Sequence, residues 1–292
     1  MALDPQTLED ASERRKELVL SSYMKTDDNR IATIQTEKAR TFHGLHKKGD
    51  PLIVFNVWDA GTAKALVEVG ANAVATGSWA VAAANGFADG ENVPLDLVVE
   101  NIRRIANAVD VPVSLDFEGG YAVEPEEISK NIKPVIDSGA VGINFEDRIV
   151  DGEGLYSIDE QCERIRAIRT VADEKQIPFF INARSDVVLP LPAVQHSNEH
   201  LDQLIERAIA YAEAGASGFF APGLINPDFI GKLCEASPLP VNILVVPGVP
   251  TSRELANLGV ARISYGGGTY RTTMAAFSEA AQDALTAVTG VS

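Results

Sequence analysis

Ser138-Gly139-Ala140-Val141-Gly142-Ile143-Asn144-Phe145-Glu146-Asp147 carries the pattern that decides the fold: a glycine closing an amphipathic stretch, then a short apolar run that ends in polar residues. Glycine readily closes a helix in the left-handed region, and a continuous apolar run directly after it reads as a parallel strand buried on both faces. The unit recurs at Val69-Gly70-Ala71 before Ala73–Gly77, at Ala214-Gly215-Ala216 before Gly218–Pro222, and at Leu258-Gly259-Val260 before Ala261–Gly266. Four more runs open on proline: Leu52–Asn56 after Pro51, Val113–Glu118 after Pro112, Phe179–Arg184 after Pro178 and Val241–Val246 after Pro240. Proline is tolerated at the first residue of a strand, where no ladder donor is lost. The intervals, among them Leu95–Ala108, Glu126–Ser138, Asp159–Ala172 and Asn198–Ala214, read as helices. Eight strands alternating with helices over roughly 250 residues is the arithmetic of a (β/α)8 barrel of the TIM type, with a doubly wound open sheet as the alternative. No Gly-x-Gly-x-x-Gly follows any of the strands, and the run Gly266-Gly267-Gly268 is weak evidence for phosphate binding.

The repeat divides the chain into a helical extension over residues 1–49, a barrel over 50–268 and a C-terminal helix over 269–292. Within the extension, Leu8–Tyr23 and Arg30–Lys47 have helical patterns and are expected to pack across the barrel or on a neighbouring subunit. In the last helix Met274, Phe277, Ala281, Leu285 and Val288 recur at spacings of three and four, an apolar stripe that needs a partner surface. Docking on its own barrel as an ordinary eighth helix would also satisfy that stripe.

Composition narrows the function. The 292 residues are 46% hydrophobic and 23% charged, enough apolar material for a sizeable core. With 25 Lys and Arg against 41 Asp and Glu, the net charge of −16 repels phosphate backbones and anionic lipid, so neither nucleic acid nor membrane is an expected partner. No apolar stretch approaches the roughly 18 to 20 residues of a membrane span, and Met1–Tyr23 is polar where a signal peptide would be basic then greasy. A cytoplasmic location is the expectation. Cys162 and Cys234 stand alone, without the spacing of a disulfide framework or a zinc site. A small anionic substrate would need locally concentrated positive charge, from a metal or a buried arginine.

In a parallel barrel the active site gathers at the strand C-termini, so the polar residues closing each run are the candidates. In order they are Asn56 and Asp59, Gly77-Ser78-Trp79, Asp116 and Glu118, Asn144, Glu146 and Asp147, Asn182 and Arg184, and Asn242. Asp116 and Glu118 share a face by the period of two, and Glu146 ends the neighbouring strand. Three converging carboxylates need a neutralising cation, and an all-oxygen set suits Mg2+ or Mn2+ over zinc. Helix capping is the alternative role, open especially to Glu118 and Asp147. Arg184 closes an apolar run where an unpaired guanidinium is costly, so it either bridges a barrel carboxylate or clamps a substrate carboxylate.

Leu115-Asp116-Phe117-Glu118-Gly119-Gly120-Tyr121, Gly142-Ile143-Asn144-Phe145-Glu146-Asp147, Asn182-Ala183-Arg184 and Asn56-Val57-Trp58-Asp59-Ala60-Gly61 together resemble the isocitrate lyase/phosphoenolpyruvate mutase superfamily, over about Thr41 to Phe277. The resemblance implies a Mg2+-dependent barrel that makes or breaks C–C or C–P bonds in 2-oxo acids or their enolates. It implies that Gly77, Ser78 and Trp79 hold the substrate, with Asp89 on the following loop. It places Asp116, Glu118 and Glu146 at the metal and Arg184 on the substrate; Trp58 and Asn242 complete the candidate substrate contacts. Dimers or tetramers built by exchange of the C-terminal helix are implied as well.

Departures from the family pattern shape the expected reaction. Lyases of this kind carry a Lys-x-Cys-Gly loop after the Glu-Asp strand, whereas Arg148–Tyr156 holds neither Cys nor Lys. Mutases add a His after a later strand, and Phe219-Phe220-Ala221-Pro222-Gly223 has none. His196 and His200 follow the fifth strand and read as surface residues. Decarboxylation of an oxaloacetate-like 2-oxo diacid asks least of a side-chain acid, with solvent or Tyr156 returning the proton, whereas a C–C lyase or hydrolase would use Asp89 or Tyr156 as base. The alternatives are a C–C lyase or hydrolase of the methylisocitrate, dimethylmalate or oxaloacetate type, phosphonopyruvate chemistry, and a metabolite-binding barrel without turnover. The loop Asp147–Tyr156, with Gly152 and Gly154, is expected to act as a lid.

Overall fold

The computed structural model describes residues 33–289. The pattern at Leu8–Tyr23 and the side chain of Val288 lie outside what is described. All eight expected strands form: β1 (Leu52–Val54), β2 (Val74–Ala75), β3 (Val113–Asp116), β4 (Gly142–Glu146), β5 (Phe180–Arg184), β6 (Gly218–Phe220), β7 (Val241–Leu244) and β8 (Arg262–Ser264). They pair in parallel in the order β1-β8-β7-β6-β5-β4-β3-β2. A parallel bridge between Val57 and Thr76, with the Val57 N–H donating to the Ala75 carbonyl at 2.9 Å, joins the two ends of that order. The sheet is thus a (β/α)8 barrel of the TIM type, and the open-sheet alternative falls.

The helices are α1 (residues 33–45), α2 (Ala60–Glu68), α3 (Ser78–Asn85), α4 (Leu95–Ala108), α5 (Pro125–Asp137), α6 (Ile158–Glu174), α7 (Asn198–Glu213), α8 (Pro227–Ala236), α9 (Ser252–Asn257) and α10 (Gly268–Thr289). Most of those around the barrel bury a stripe read from their spacing: Ile102 and Ile105 of α4, Ile128 and Ile132 of α5, and Ile165 and Ile168 of α6 are fully buried. Each contributes about 1.5–3 kcal/mol of apolar burial. Their strand counterparts are the outward residues, such as Ile143 and Phe145 of β4.

The N-terminal end of the barrel is plugged by aromatic rings. Phe42 of α1 meets Phe180 edge-on at 5.2 Å, and His46 stacks on the same ring at 4.1 Å. Gly142 and Gly218 make room, because a Cβ there would lie 2.7 Å from the Phe180 carbonyl oxygen and 2.8 Å from Asn182 Oδ1. Burial first, then the charge of Arg262, pushes His46 down to about 3, so it is neutral.

At the other end of the chain α10 leaves the barrel: Met274, Phe277 and Leu285 are 39%, 66% and 71% exposed. No helix among the described residues is long and apolar enough to cross a membrane.

Candidate active site

A cavity of about 130 Å³ opens at the C-terminal end of the strands, lined by Asn56, Gly77, Ser78, Trp79, Asp89, Asp116, Asn144 and Arg184 among others. Two elements fix its mouth. The α3 helix starts at Gly77 without a side-chain cap, and Asp116 Oδ2 takes that place by accepting the Ser78 N–H at 2.9 Å. The positive end of α3 therefore faces the cavity. Across β1, Asn56 Oδ1 accepts the N–H groups of Tyr265 and Gly266 at 3.1 and 2.8 Å, while its Nδ2 donates to the Thr76 carbonyl at 2.9 Å.

The three carboxylates read as a metal cage do not form one. Among the described residues no group of three or more His, Cys, Asp or Glu side chains is placed to hold a metal ion. Glu118 adopts a left-handed backbone, φ 50°, which ends the period of two and turns its side chain into an adjoining cleft shared with Asp116 and Tyr121. There its Oε2 accepts the Glu91 N–H at 2.8 Å. Glu146 Oε2 is held by Arg184 Nη1 at 2.8 Å. What remains is Asp116 Oδ1, buried with no hydrogen-bond partner.

Carboxyl groups are nonetheless crowded around that oxygen. Burial, then the Asp116 charge, pushes Glu118 up to about 8 against the Glu91 N–H. Burial also pushes Glu146 up to about 8; Arg184 opposes this, while Asp186 and Asp116 add to it. Asp89, at the rim, is raised by partial burial and by Asp116. An unpartnered carboxylate oxygen ringed by carboxyls that resist ionising fits a hydrated divalent cation held directly by Asp116, since Mg2+ keeps several waters and takes only one or two carboxylates.

Arg184 is engaged by its own barrel. Its Nε and Nη2 grip Asp186 at 2.7 and 2.8 Å, and its Nη1 grips Glu146. Burial disfavours the guanidinium charge, but Glu146 and Asp186 outweigh it and raise its pKa. These bonds use three of five N–H donors, leaving two for a ligand in the cavity that Arg184 lines. Asp186 was missed in the sequence, although it sits two residues beyond Arg184 and so on the same face.

Other candidates are placed elsewhere. Tyr156 lies in a separate cleft with Glu91, its ring 3.9 Å beneath the Arg164 guanidinium, because it precedes the Ser157 cap of α6 and is drawn towards that helix. Trp58 precedes the Asp59 cap of α2 and faces outward, edge-on to Tyr270 at 5.0 Å. Asn242 is buried below the cavity, where its Oδ1 accepts from Ser264 Oγ at 3.0 Å. Asp147, fully buried, accepts Arg207 Nη1 at 3.0 Å, the Tyr211 hydroxyl at 2.9 Å and the Asp186 N–H at 3.0 Å, so it anchors the loop after β5 and caps no helix. His196 bonds the carbonyls of Val188 and Leu191, and His200 completes the Ser197 cap of α7. The loop expected to be a lid is tied to itself by a bridge between Arg148 and Leu155. Asn56, Gly77, Ser78, Trp79, Asp89, Asp116, Asn144 and Arg184 are the predicted residues that share the cavity.

Comparison with known proteins agrees with this architecture. A solved protein of Burkholderia cenocepacia J2315, provisionally named a phosphonomutase, is 45% identical with a TM-score of 0.83, covering 86% of this chain and 99% of that one. The 2-methylisocitrate lyase of Escherichia coli K12 is 29% identical over 239 residues, 77% of either chain. A solved oxaloacetate acetylhydrolase in complex with oxalate, 23% identical with a TM-score of 0.74 and covering 83% of this chain and 84% of that one, shares the fold. The family model described as phosphoenolpyruvate phosphomutase matches residues 42–285, and the chain belongs to that family, within the isocitrate lyase/phosphoenolpyruvate mutase superfamily of lyases and mutases.

Proposed function

We propose that this chain is a Mg2+-dependent carbon–carbon lyase that decarboxylates a small 2-oxo diacid of the oxaloacetate type. The observation that carries the reading is the chemistry of the cavity wall: its polar groups are the carboxylates of Asp89 and Asp116, the Arg184 guanidinium, and amides and hydroxyls of Asn56, Ser78, Asn144 and Ser264. Loss of CO2 needs no thiol, imidazole or amine. Cys162 and Cys234 are buried in the core, where burial raises both thiols, Cys234 to about 11.

The cation, Mg2+ or alternatively Mn2+, would sit on Asp116 Oδ1 and supply Lewis-acid stabilisation of the charge that develops on the 2-oxo oxygen. The chain's own groups do the rest. The N-terminal end of α3 and the two spare N–H donors of Arg184 orient the substrate's carboxylate. The bond between C3 and the departing carboxylate breaks, CO2 leaves, and the electron pair moves towards the 2-oxo group. Asp89, raised and at the rim, or solvent returns a proton to C3.

The test is pyruvate release from oxaloacetate with Mg2+, measured against Asp116→Asn as the blank for spontaneous decay, beside 2-methylisocitrate, 2,3-dimethylmalate and phosphonopyruvate. Pyruvate from oxaloacetate above the blank is the expected result. Cleavage of 2-methylisocitrate alone would install the lyase reading that the Escherichia coli relative favours; oxalate binding with no turnover of any of the four would leave a metabolite-binding barrel. Arg184→Lys keeps a charge but loses the planar fork, so the apparent substrate constant is expected to rise about tenfold. An unchanged constant would assign Arg184 to the Glu146–Asp186 bridge alone.

Assembly into dimers or tetramers belongs to the same proposal. An apolar groove lined by Phe55, Val57, Trp58, Leu66 and Val69 lies at the foot of α10, whose Met274, Phe277 and Leu285 are uncovered by the chain's own barrel. The α10 of a second copy supplies the matching stripe. Truncation after Gly268 is expected to convert a sedimenting dimer or tetramer into monomer or aggregate, and a full-length chain that sediments at 31.2 kDa would refute it.

A further inference from the structure

Below the cavity the barrel lumen is polar, where barrels of this kind are filled mainly by branched apolar side chains. Asn182 of β5 and Asn242 of β7 are buried there, with Asn144 of β4 and Ser264 of β8 buried above them where they reach the cavity. Arg262 of β8 is 1% exposed, and β8 lies four strands from β4 on either side, so it faces β4 across the lumen. Its Nη2 nevertheless reaches Asn144 Oδ1 at 3.4 Å, while its Nε donates to Ser264 Oγ at 3.3 Å. The arginine therefore spans the barrel.

An unpaired buried guanidinium is expensive, and among the described residues this one forms no salt bridge to a carboxylate, only a contact with the Phe42 ring 5.9 Å away. Burial pushes Arg262 down to about 10, opposed by the charge of Asp116, which still leaves it cationic at neutral pH. Its Nη1 has no hydrogen-bond partner. The compensating gain lies in what it does to Asn144. Asn144 Oδ1 accepts two donors, Arg262 Nη2 from across the lumen and Asn182 Nδ2 at 2.9 Å from its register partner on β5. Asn182 is an amide that could turn with it, but the Arg262 guanidinium cannot accept, so the Asn144 amide cannot turn over without setting its own N–H groups against those of Arg262. With its oxygen held by these donors, Asn144 offers Nδ2 to the cavity that it lines.

We propose that Asn144 is a substrate-binding residue, its Nδ2 donating to an anionic oxygen of the 2-oxo acid, and that Arg262 is the positioning residue that holds the amide in that orientation from across the barrel. The assignment rests on the cavity being the 2-oxo acid site proposed above. It accounts for a polar lumen directly under an acidic mouth: the substrate anion meets a donor with a fixed direction where a freely turning amide would present its oxygen half the time.

Calorimetric titration of oxalate in the presence of Mg2+ tests it on the full chain, with thermal melts as the check on folding. Asn144→Asp exchanges the donor for a carboxyl oxygen and is expected to weaken oxalate about 10- to 100-fold, the range of a hydrogen bond to a charged group. Arg262→Met is expected to weaken it about tenfold in the wild-type background and less than twofold in an Asn144→Leu background, because Arg262 acts through Asn144. Should Arg262→Met fail to fold, Arg262→Lys, which lacks the planar reach, is read in the same cycle. Equal losses in both backgrounds, or unchanged binding in Asn144→Asp, overturn the proposal. A wild-type chain that binds oxalate but releases no pyruvate refutes the decarboxylase reading and leaves this inference standing; one that binds no oxalate refutes both.

Discussion

Asp116→Asn is expected to lower Mg2+-dependent turnover by on the order of 10³-fold while the protein, free of cation, melts no lower than the wild type. The two halves of that expectation come from the two oxygens. Oδ2 caps α3 through the Ser78 N–H, and an asparagine oxygen in the same place still accepts it, so the roughly 1 kcal/mol of a helix cap is retained. Oδ1 is the buried, unpartnered atom, and in the variant the residue has neither the charge nor the second acceptor that would hold a cation. Removing the charge also relieves Glu118, Glu146 and Asp89, each of which Asp116 drives towards its neutral form. Mg2+ should raise the melting temperature of the wild type in the presence of oxalate and leave that of the variant unmoved. Turnover within tenfold of wild type would show that the cation, if any, is held elsewhere.

The barrel was legible because its repeat is written in residues with backbone consequences. Gly70, Gly139, Gly215 and Gly259 all take the positive φ that closes a helix, and each leads into a strand. Asp116 and Arg184 were legible for a related reason, as polar residues closing runs that have no other use for them. The period of two then misled at Glu118, where a left-handed residue ends the alternation, a feature that no spacing announces in a non-glycine residue. Trp58 and Tyr156 failed differently: each lies just before the cap of the next helix, Asp59 or Ser157, and the cap geometry draws it away from the mouth. Asp186 and Arg262 could have been found. Asp186 shares the face of Arg184 by position, and Arg262 sits between Ala261 and Ile263, a charge inside an apolar run that demands a reason as Arg184 did. The reason itself, a reach across the lumen to Asn144, depends on which strands stand opposite each other, which only the closed barrel determines.

Freed of divalent cation, the protein is expected to lose stability as pH rises from about 6.5 to 8, by on the order of 2 kcal/mol, or roughly 4 to 8 °C in melting temperature. Glu118 stands near 8 in the folded chain, and burial raises Glu146 in the same direction against the Arg184 charge, both above the ordinary value of 4.5 that applies when the chain unfolds. Between those values the folded state holds protons that the unfolded state has released, so their contribution is complete at low pH and disappears as pH passes through 8. His46 works in the opposite sense. Held near 3 against an ordinary 6.5, it favours the fold above 6.5 and penalises it as pH falls below. His43, also lowered by burial, adds to that, so below pH 6.5 the histidines offset part of the carboxyl slope and above it the loss runs unopposed. The exposed carboxyls Glu100, Glu160 and Glu254 are lowered by their partners and have finished titrating before this window opens. Mg2+ with oxalate should reverse the slope, because a cation at Asp116 favours ionised carboxylates around it and binds more tightly as protons leave. Melts in chelator and in Mg2+ with oxalate at pH 6.5, 7.25 and 8 read both effects, and the gap between the two series should widen at each step. A cation-free melting temperature that holds level or climbs across those pH values would mean that Arg184 and solvent already compensate Glu146 and Glu118, and that the acidic mouth has no need of a cation.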